Sequence, residues 1–553
     1  MPSLDISVIM KDSNNLPQIV VTGASGFIGR HFVIAACNDY KIFCIARRSQ
    51  KEVGIPVHKN ISWFQADIGE WEQLNQVSTR LKDLGGADYV LHLAGYYDFS
   101  QKDHPAYTKT NIQGTENTLK MAEQIGAKRF FFSSSLAGCN FPEKGEVITE
   151  ETPLTADFPY ARSKAKAETF IERFSNKIPC TIIRLAAVFS DWCEYPPLYI
   201  FLETWLSKNP LSNFIGGKGY FAIPYIHIKD VIDFVYNLIR KSQSLPQIGV
   251  YIASQPKAVN LNEIYETATR YFYNEPRYPR HLPGKIAKTG LYLYSGLCRL
   301  FNKETFLRPW MGNYLDKQLN VDPSWTYDQL SWQPKLRYSL LRRLLFLVEN
   351  KIIYTNNWHF RNQILLEQRV AYRRSIQIYQ IMYEVREEVV HNVLTDLLNP
   401  QQYYRFPNYQ KMDKEVVTRY IYLIFQLFAL AIRNRDRSFL TDYNQIICTY
   451  RFVEGFSIQE LTEFNILFDV HLRNALWKKA DKDIQQRMNN YITLTTQYFI
   501  DDREDIYDTL KNNPPDSLPK IQGTYSITNS QDLQWLVRRL EDLYGDPPIP
   551  YPN

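Results

Sequence analysis

Ile19-Val20-Val21-Thr22-Gly23-Ala24-Ser25-Gly26-Phe27-Ile28-Gly29 decides the fold. The apolar run Ile19 to Val21 reads as a short buried strand. Gly23, Gly26 and Gly29 follow at G-x-x-G-x-x-G spacing, and Phe27, Ile28, Phe32 and Val33 then recur at helical spacing. A strand that turns on glycines into a helix leaves unsatisfied backbone N–H groups aimed at one point, where a pyrophosphate is well held. Glycine is needed because a Cβ would obstruct both the turn and the approach of the phosphate. The strand–turn–helix context is what a glycine triplet requires before it can be read as a dinucleotide site. Gly23, Ser25, Gly26, Phe27, Ile28 and Gly29 are therefore the first candidate cofactor contacts.

Outward from this turn, strands and helices alternate. Strands are expected at Lys41–Ala46, Ile61–Gln65, Tyr89–Leu93 and Phe130–Ser135, with helical stretches between them. Alternation of this kind predicts an α/β fold, a Rossmann-type doubly wound parallel sheet with helices on both faces. After the second strand, where an acidic residue would select the 2′-hydroxyl of NAD, the chain carries Arg47 and Arg48. Two guanidinium groups suit a 2′-phosphate, so NADP is expected over NAD. Asp67 and Ile68 follow the third strand, placed to meet an adenine. Leu93, Ala94 and Gly95 close the fourth strand with residues small enough for close cofactor approach.

Pro159-Tyr160-Ala161-Arg162-Ser163-Lys164 puts Tyr160 and Lys164 on one helical face. A phenol titrates near pH 10 and a neighbouring ammonium favours the phenolate, so a lowered Tyr160 pKa is expected. Tyr160 then exchanges a proton with a substrate oxygen, and Ser135 holds the same oxygen.

These residues resemble the extended short-chain dehydrogenase/reductase family over about residues 17–350. The motifs, in order, are Gly23-x-x-Gly26-x-x-Gly29, Asp67, His92-Leu93-Ala94-Gly95, Asn111-x-x-Gly114-Thr115, the serine strand to Ser135, Tyr160-x-x-x-Lys164, and Arg184 after a sixth strand. His227-Ile228-Lys229-Asp230 and Leu330-Ser331-Trp332-Gln333-Pro334 continue the likeness, with Ser331 where the family has glycine. The resemblance implies Tyr160 as acid/base, Lys164 as its tuner and ribose contact, Ser135 as the orienting hydroxyl with Ser134 as the fallback, and Asn111 in a proton relay. It also implies a structural role for Asp230.

Substrate class is less constrained. Sugar-nucleotide members carry an arginine where this chain has Ile223, and the glycine expected after the sixth strand is missing from Val188-Phe189-Ser190-Asp191-Trp192. The following lid holds Trp192, Tyr195, Pro196, Pro197, Tyr199, Phe201 and Trp205, a lining suited to an apolar or aromatic carbonyl compound. Lys218 remains available to an anion. The reading is an NADP-dependent oxidoreductase interconverting an alcohol and a carbonyl on a small molecule. The alternatives are a nucleotide-sugar epimerase or dehydratase with transient oxidation, and a protein that senses cofactor redox state.

The chain has 553 residues, 45% hydrophobic and 22% charged, with a net charge of +6, which fits a folded multidomain protein and is no nucleic-acid footprint. Seven scattered cysteines without a C-x-x-C argue against a metal site or disulfide framework and for a reducing, cytoplasmic setting. Residues 1–16 read as an extension without a signal-peptide layout, 17–350 as the reductase (substrate subdomain about 190–225 and 255–335), and 351–510 as a helical bundle. Helices are expected at Gln363–Leu398, Lys414–Arg433, Phe439–Phe452, Ile458–Lys478 and Ile484–Ile500, with a Ser457–Glu460 capping box. The apolar run Tyr420–Ile432 reads as a buried helix, and no transmembrane segment is expected. Arg451–Trp477 faintly resembles bacterial helical sensor domains. Residues 511–526 read as a linker, 531–544 as a closing helix and 546–553 as an extended tail. A homodimer, and a protein partner for the helical half, are left open.

Overall fold

The computed structural model describes residues 16–512, except 54, 56–57, 100, 209, 301–307, 368–373, 435–436 and 481, together with residue 536. The N-terminal extension, most of the linker, the closing helix apart from Leu536, and the tail lie outside the described residues. The chain divides into two compact units, Met1–Ile352 and Ile353–Asn553.

The first unit is built on a seven-stranded parallel sheet. Its strands are β1 (Gln18–Thr22), β2 (Lys41–Ala46), β3 (Ile61–Gln65), β4 (Tyr89–His92), β5 (Arg129–Ser135), β6 (Cys180–Leu185) and β7 (Ile248–Ala253), in spatial order β7-β6-β5-β4-β1-β2-β3. The order reverses at β1, so the ends of β1 and β4 open a crevice at the switch point of the sheet. Thr22 lies level with His92 across that pair. The strands are near-continuous apolar runs (Val20, Phe43, Val90, Phe130 and Ile182 are all fully buried) because helices cover both faces.

On one face, α1 (Phe27–Ala36) packs with α6 (Ile228–Arg240). On the other lie α2 (Trp71–Asp83), α3 (Gly114–Gln124) and α4 (Pro159–Phe174). A π-helical turn, Tyr107–Gln113, leads into α3. α4 starts with Pro159, whose missing N–H costs nothing at a helix start. The substrate subdomain contains α5 (Pro196–Trp205), α7 (Leu261–Tyr273) and α8 (Gly284–Leu300), with short strand pairs Phe214–Gly216/Arg280–Leu282 and Ala222–Ile223/Val259–Asn260. α9 (Leu340–Ile353) closes the unit.

The expectations for Arg184 and for the aromatic lid change here, while Asp230 and Ser331 acquire their physical reasons. Arg184 lies inside β6, not after it, and its guanidinium forms a buried bidentate pair with Glu168. Asp230 is structural: it accepts from the Lys335 N–H, and burial lifts its carboxyl to about 6. Ser331 ends the short helix Ser324–Leu330 in the left-handed region, φ +47°, which explains why glycine would suit that place. Of the aromatic lid, Trp192, Tyr199 and Trp205 are buried packing residues, with Trp205 against Phe201 and Tyr265, so the lid is largely core.

The second unit is helical: α10 (Thr355–Glu367), α11 (Arg374–Leu397), α12 (Lys414–Asn434), α13 (Ser438–Val453), α14 (Ile458–Lys479) and α15 (Lys482–Asn512). The stretch expected as one helix, Gln363–Leu398, takes in the end of α10 and the whole of α11, with 368–373 outside the described residues, and α15 extends well past Ile500. α12 is long and apolar enough by composition to cross a bilayer, but 72% of that stretch is buried inside the unit, so it is a core helix. The capping box is half formed. Ser457 Oγ accepts from the Glu460 N–H, whereas the Glu460 carboxylate turns away to the Asn408 and Tyr409 N–H groups. Two arginines are sunk in this core. Arg451 pairs with Glu454 among Tyr420 and Phe456. Arg503 donates to Asn444 Oδ1 (2.8 Å) and Asn465 Oδ1 (2.9 Å). His471 pairs with Asp396, and the described residues contain no metal-type cluster. Six described cysteines are free and buried.

Candidate active site

The glycine turn is held by close backbone packing. Gly23 has φ +70°, and a Cβ there would lie 2.6 Å from the Ala94 nitrogen. A Cβ on Gly29 would strike the Gly23 carbonyl. Gly26 caps α1 without a side-chain hydrogen bond, so the first N–H groups of the helix are left for another acceptor. Arg48 Nη2 donates to the Ser25 carbonyl at 2.8 Å, which lays its guanidinium along the turn, while Arg47 is exposed at the end of β2. Such a cradle fits a dinucleotide pyrophosphate at α1, with cations beside the adenosine end.

Asp67 is more committed than the sequence implied. Its carboxylate accepts from the Gly69 N–H (3.0 Å) and pairs with Lys109 (3.1 Å). Burial pushes its pKa up, but these contacts outweigh it and the net shift is downward. Ile68 is buried, and its carbonyl accepts from Asn117.

His92 fastens the crevice floor. Thr115 Oγ1 donates to the Asn111 carbonyl (2.7 Å), so it accepts from His92 Nε2–H (3.0 Å). His92 Nδ1 then accepts from Thr22 Oγ1 (2.6 Å). Burial drives the imidazole pKa down to about 3, helped by the Lys164 charge, so the ring is neutral. No motif alone announced this role. The signal was a histidine at a strand end beside two threonines.

Asn111 sits in the π-helical turn. Its Oδ1 accepts from Tyr96 N (2.7 Å), and its Nδ2 donates to Tyr96 O (2.9 Å) and Ser163 Oγ (2.9 Å). It clamps the loop after Leu93, Ala94 and Gly95 onto α4. Gly95 lies where a Cβ would meet Lys164 Nζ at 3.6 Å.

The three serines diverge by strand alternation. Ser133 Oγ donates to the His92 carbonyl (3.0 Å), and the Ser133 carbonyl accepts from Lys164 Nζ (2.6 Å). Ser134 Oγ donates to Glu168, inside the pair with Arg184. Ser135 is the hydroxyl that neighbours Tyr160 and works to lower its pKa. Lys164 Nζ lies 5.9 Å from the Tyr160 ring centre and 4.6 Å from that of Phe132, and burial lowers its pKa to about 8.

The expected lowering of the Tyr160 pKa is not observed. Burial dominates and raises it to about 12. The Ser135 hydrogen bond opposes that rise, and Tyr107 adds to it. The ammonium on the shared helical face is spent on a backbone carbonyl, not on the phenol. The wall facing Tyr160 includes two residues the motifs did not reach, Tyr97, whose ring centre is 4.5 Å away, and Phe99, together with Tyr195 of the expected aromatic lid. The only sequence signal of Tyr97 and Phe99 was aromatic density in the loop after β4.

A separate cleft of about 430 Å3 lies between the π-helical turn and α4, lined by His104, Tyr107, Arg162 and Lys166. Arg162 and Lys166 are on the opposite side of α4 from Tyr160 and Lys164, so this cleft is not the reaction site.

A parallel sheet with a glycine cradle at its switch point, and a Ser–Tyr–Lys set alongside, defines a nicotinamide dinucleotide-dependent enzyme domain. Residues 19–253 match the model of the NAD dependent epimerase/dehydratase family. Among curated relatives, dTDP-D-glucose 4,6-dehydratase of Dictyostelium discoideum is 25% identical over 42% of this chain, which spans only 58% of that protein. The Mus musculus protein of the same name is 22% identical over 49% of this chain and 82% of its own length. UDP-glucose 4-epimerase of Lactobacillus helveticus is 27% identical over 46% and 81%. Among solved structures, dTDP-glucose 4,6-dehydratase of Bacillus anthracis str. Ames in complex with NAD is 18% identical, covering 64% of this chain and 99% of its own at TM-score 0.47.

Proposed function

We propose that the first unit transiently oxidises a secondary alcohol of a nucleotide-linked sugar and then returns the hydride, as a sugar epimerase does. The observation that carries this reading is Tyr160 with Ser135 as its hydroxyl neighbour and Lys164 one helical turn on, beside the Gly23–Gly29 turn. The curated relatives are dehydratases and epimerases named for such sugars. A bound nicotinamide dinucleotide supplies the hydride acceptor. This chain's residues manage the proton: Tyr160 Oη exchanges it with the substrate oxygen, Ser135 Oγ fixes that oxygen, and Lys164, held on the Ser133 carbonyl, would hold the cofactor ribose. With its pKa near 12 the phenol holds its proton at rest, so Tyr160 must be in its phenolate form to take the alcohol proton in the first half-reaction, and it returns that proton to the carbonyl oxygen in the second.

NADP is the proposed cofactor, on Arg47 and Arg48. Equal binding of NADP and NAD, unchanged by Arg47→Ala and Arg48→Ala, would overturn that choice. The helical unit is proposed to serve regulation or assembly, in a reducing, cytoplasmic setting. Incubation of the full chain with UDP-glucose or dTDP-glucose tests the reaction class: an altered sugar without net reduced nicotinamide absorbance is expected, abolished in Tyr160→Phe.

A second reading, net oxidation or reduction of an apolar alcohol or carbonyl, draws on Ile223 and on the Tyr97, Phe99 and Tyr195 wall. Reduced cofactor accumulating in step with turnover would select it.

A further inference from the structure

α9 is seated on the first unit by an apolar face. Leu340, Leu344, Leu347 and Val348 are all buried. Three polar side chains share that face at 100° per residue, Arg343, Asn350 and Lys351. Arg343 Nε donates to Asp191 Oδ1 at 2.6 Å, and Asn350 Nδ2 donates to the Asp191 carbonyl at 2.9 Å. Lys351 pairs with Glu203 on α5. All three therefore end on the stretch from Asp191 to α5, which carries Tyr195.

Asp191 is held from a second side by His227, the last residue of a short strand, Tyr225–His227, that pairs with Ala187–Phe189. His227 Nδ1 accepts from the Lys229 N–H at 3.3 Å, which leaves the ring proton on Nε2, 3.3 Å from the same Asp191 oxygen. Burial pushes the Asp191 pKa up, but His227 and Arg343 outweigh it and hold the carboxyl down at about 2. After Asp191 the chain turns tightly. Ser190 and Cys193 exchange both backbone hydrogen bonds, at 3.0 and 2.9 Å, so the residues that follow go where Asp191 is placed. Tyr195 leaves this turn with its ring centre 6.5 Å from that of Phe99 and 5.9 Å from that of Tyr225. An ion pair taken largely out of water adds little net stability, because desolvation offsets the attraction. What this one fixes is the place of the loop.

We propose that Arg343 is a positioning residue for the substrate: through Asp191 it holds the loop that presents Tyr195 to Tyr160, and so it governs which alcohol fits there. This role rests on Tyr160 as the proton-exchanging group and holds for either substrate class above.

Arg343→Met in the full chain removes the charge and keeps an unbranched apolar stem. Amide exchange in peptides covering 190–195 should rise about tenfold while that of β1 stays level. On the sugar nucleotide, or on the apolar alcohol of the second reading, KM should rise about tenfold with kcat within about threefold, since Tyr160, Ser135 and Lys164 are untouched. Arg343→Lys returns a cation to Asp191 and should recover most of both. Loss of turnover in Tyr160→Phe checks the reaction separately. A chain that turns over through Tyr160 yet keeps parent KM and parent exchange in Arg343→Met overturns the positioning role alone. Exchange rising equally along 340–353 and 190–195, without recovery in Arg343→Lys, makes the pair a seat for the helix and overturns it as well. With no turnover by the parent chain the proposed reaction fails, and exchange at 190–195 decides the role of Arg343.

Discussion

Ser134→Ala and Ser135→Ala are adjacent, chemically identical substitutions with opposite expected consequences. Ser134 is 2% exposed, and its hydroxyl donates to Glu168, a carboxylate buried with Arg184. Removing that donor leaves a buried charged acceptor short of one bond, a loss of about 2 kcal/mol of stability. Ser135 is less buried. Its hydroxyl accepts from the Ala137 N–H (3.2 Å) and neighbours Tyr160. Its removal costs about 1 kcal/mol of stability or less, but it strips the reacting oxygen of a positioned donor, worth about 3 kcal/mol in kcat/KM. The assays are urea unfolding and steady-state turnover on the sugar nucleotide of the proposed reaction. Ser134→Ala should shift the midpoint and keep kcat within a few-fold; Ser135→Ala should keep the midpoint and lose about a hundredfold in kcat/KM. The reverse pattern, or equal losses in both, would refute the assignment of the two hydroxyls.

Acid should loosen the first unit through His92. Its folded pKa, near 3, lies below the unfolded value of about 6.5, so the unfolded chain binds the extra proton between these limits and stability falls as pH drops below 6.5. At pH 5 the loss is about 2 kcal/mol, readable from urea midpoints at pH 7.5 and pH 5. Ser331→Gly should stabilise the unit by up to about 1 kcal/mol by relieving a left-handed non-glycine, φ +47°, as measured by thermal melting. In the second unit, Asn444→Leu removes the acceptor of Arg503 Nε and should cost about 3 kcal/mol in the helical unfolding transition.

Much of this architecture was legible because its determinants are local. The G-x-x-G-x-x-G turn, the apolar strand runs and Tyr160-x-x-x-Lys164 need only neighbours in sequence to be read. What was not legible depends on contacts between distant segments. The pKa of Tyr160 follows from the burial of its hydroxyl and from Lys164 binding the Ser133 carbonyl, and spacing reports neither. The π-helical turn at Tyr107–Gln113 breaks the 3.6-residue rhythm without a glycine or proline to mark it. Aromatic density drew attention to Trp192, Tyr199 and Trp205, which pack inward, and missed Tyr97 and Phe99. The capping box failed in its second half because Asn408 and Tyr409, some fifty residues earlier, offered Glu460 better donors.

The loop that departs from the family after β6 shows what such departures do. Cys193 and Glu194 both take positive φ, +72° and +49°, and the Glu194 carboxylate is fully buried. It accepts from Ser190 Oγ at 2.6 Å and pairs with Arg30, on the helix that begins at the glycine turn. The next residue, Tyr195, belongs to the wall before Tyr160. One carboxylate thus rivets the helix that starts at the glycine turn to the aromatic wall before Tyr160 across 164 residues of chain. A substitution in this loop is therefore felt at both ends of the crevice at once, since the same buried charge sets the seat of α1 and the position of Tyr195.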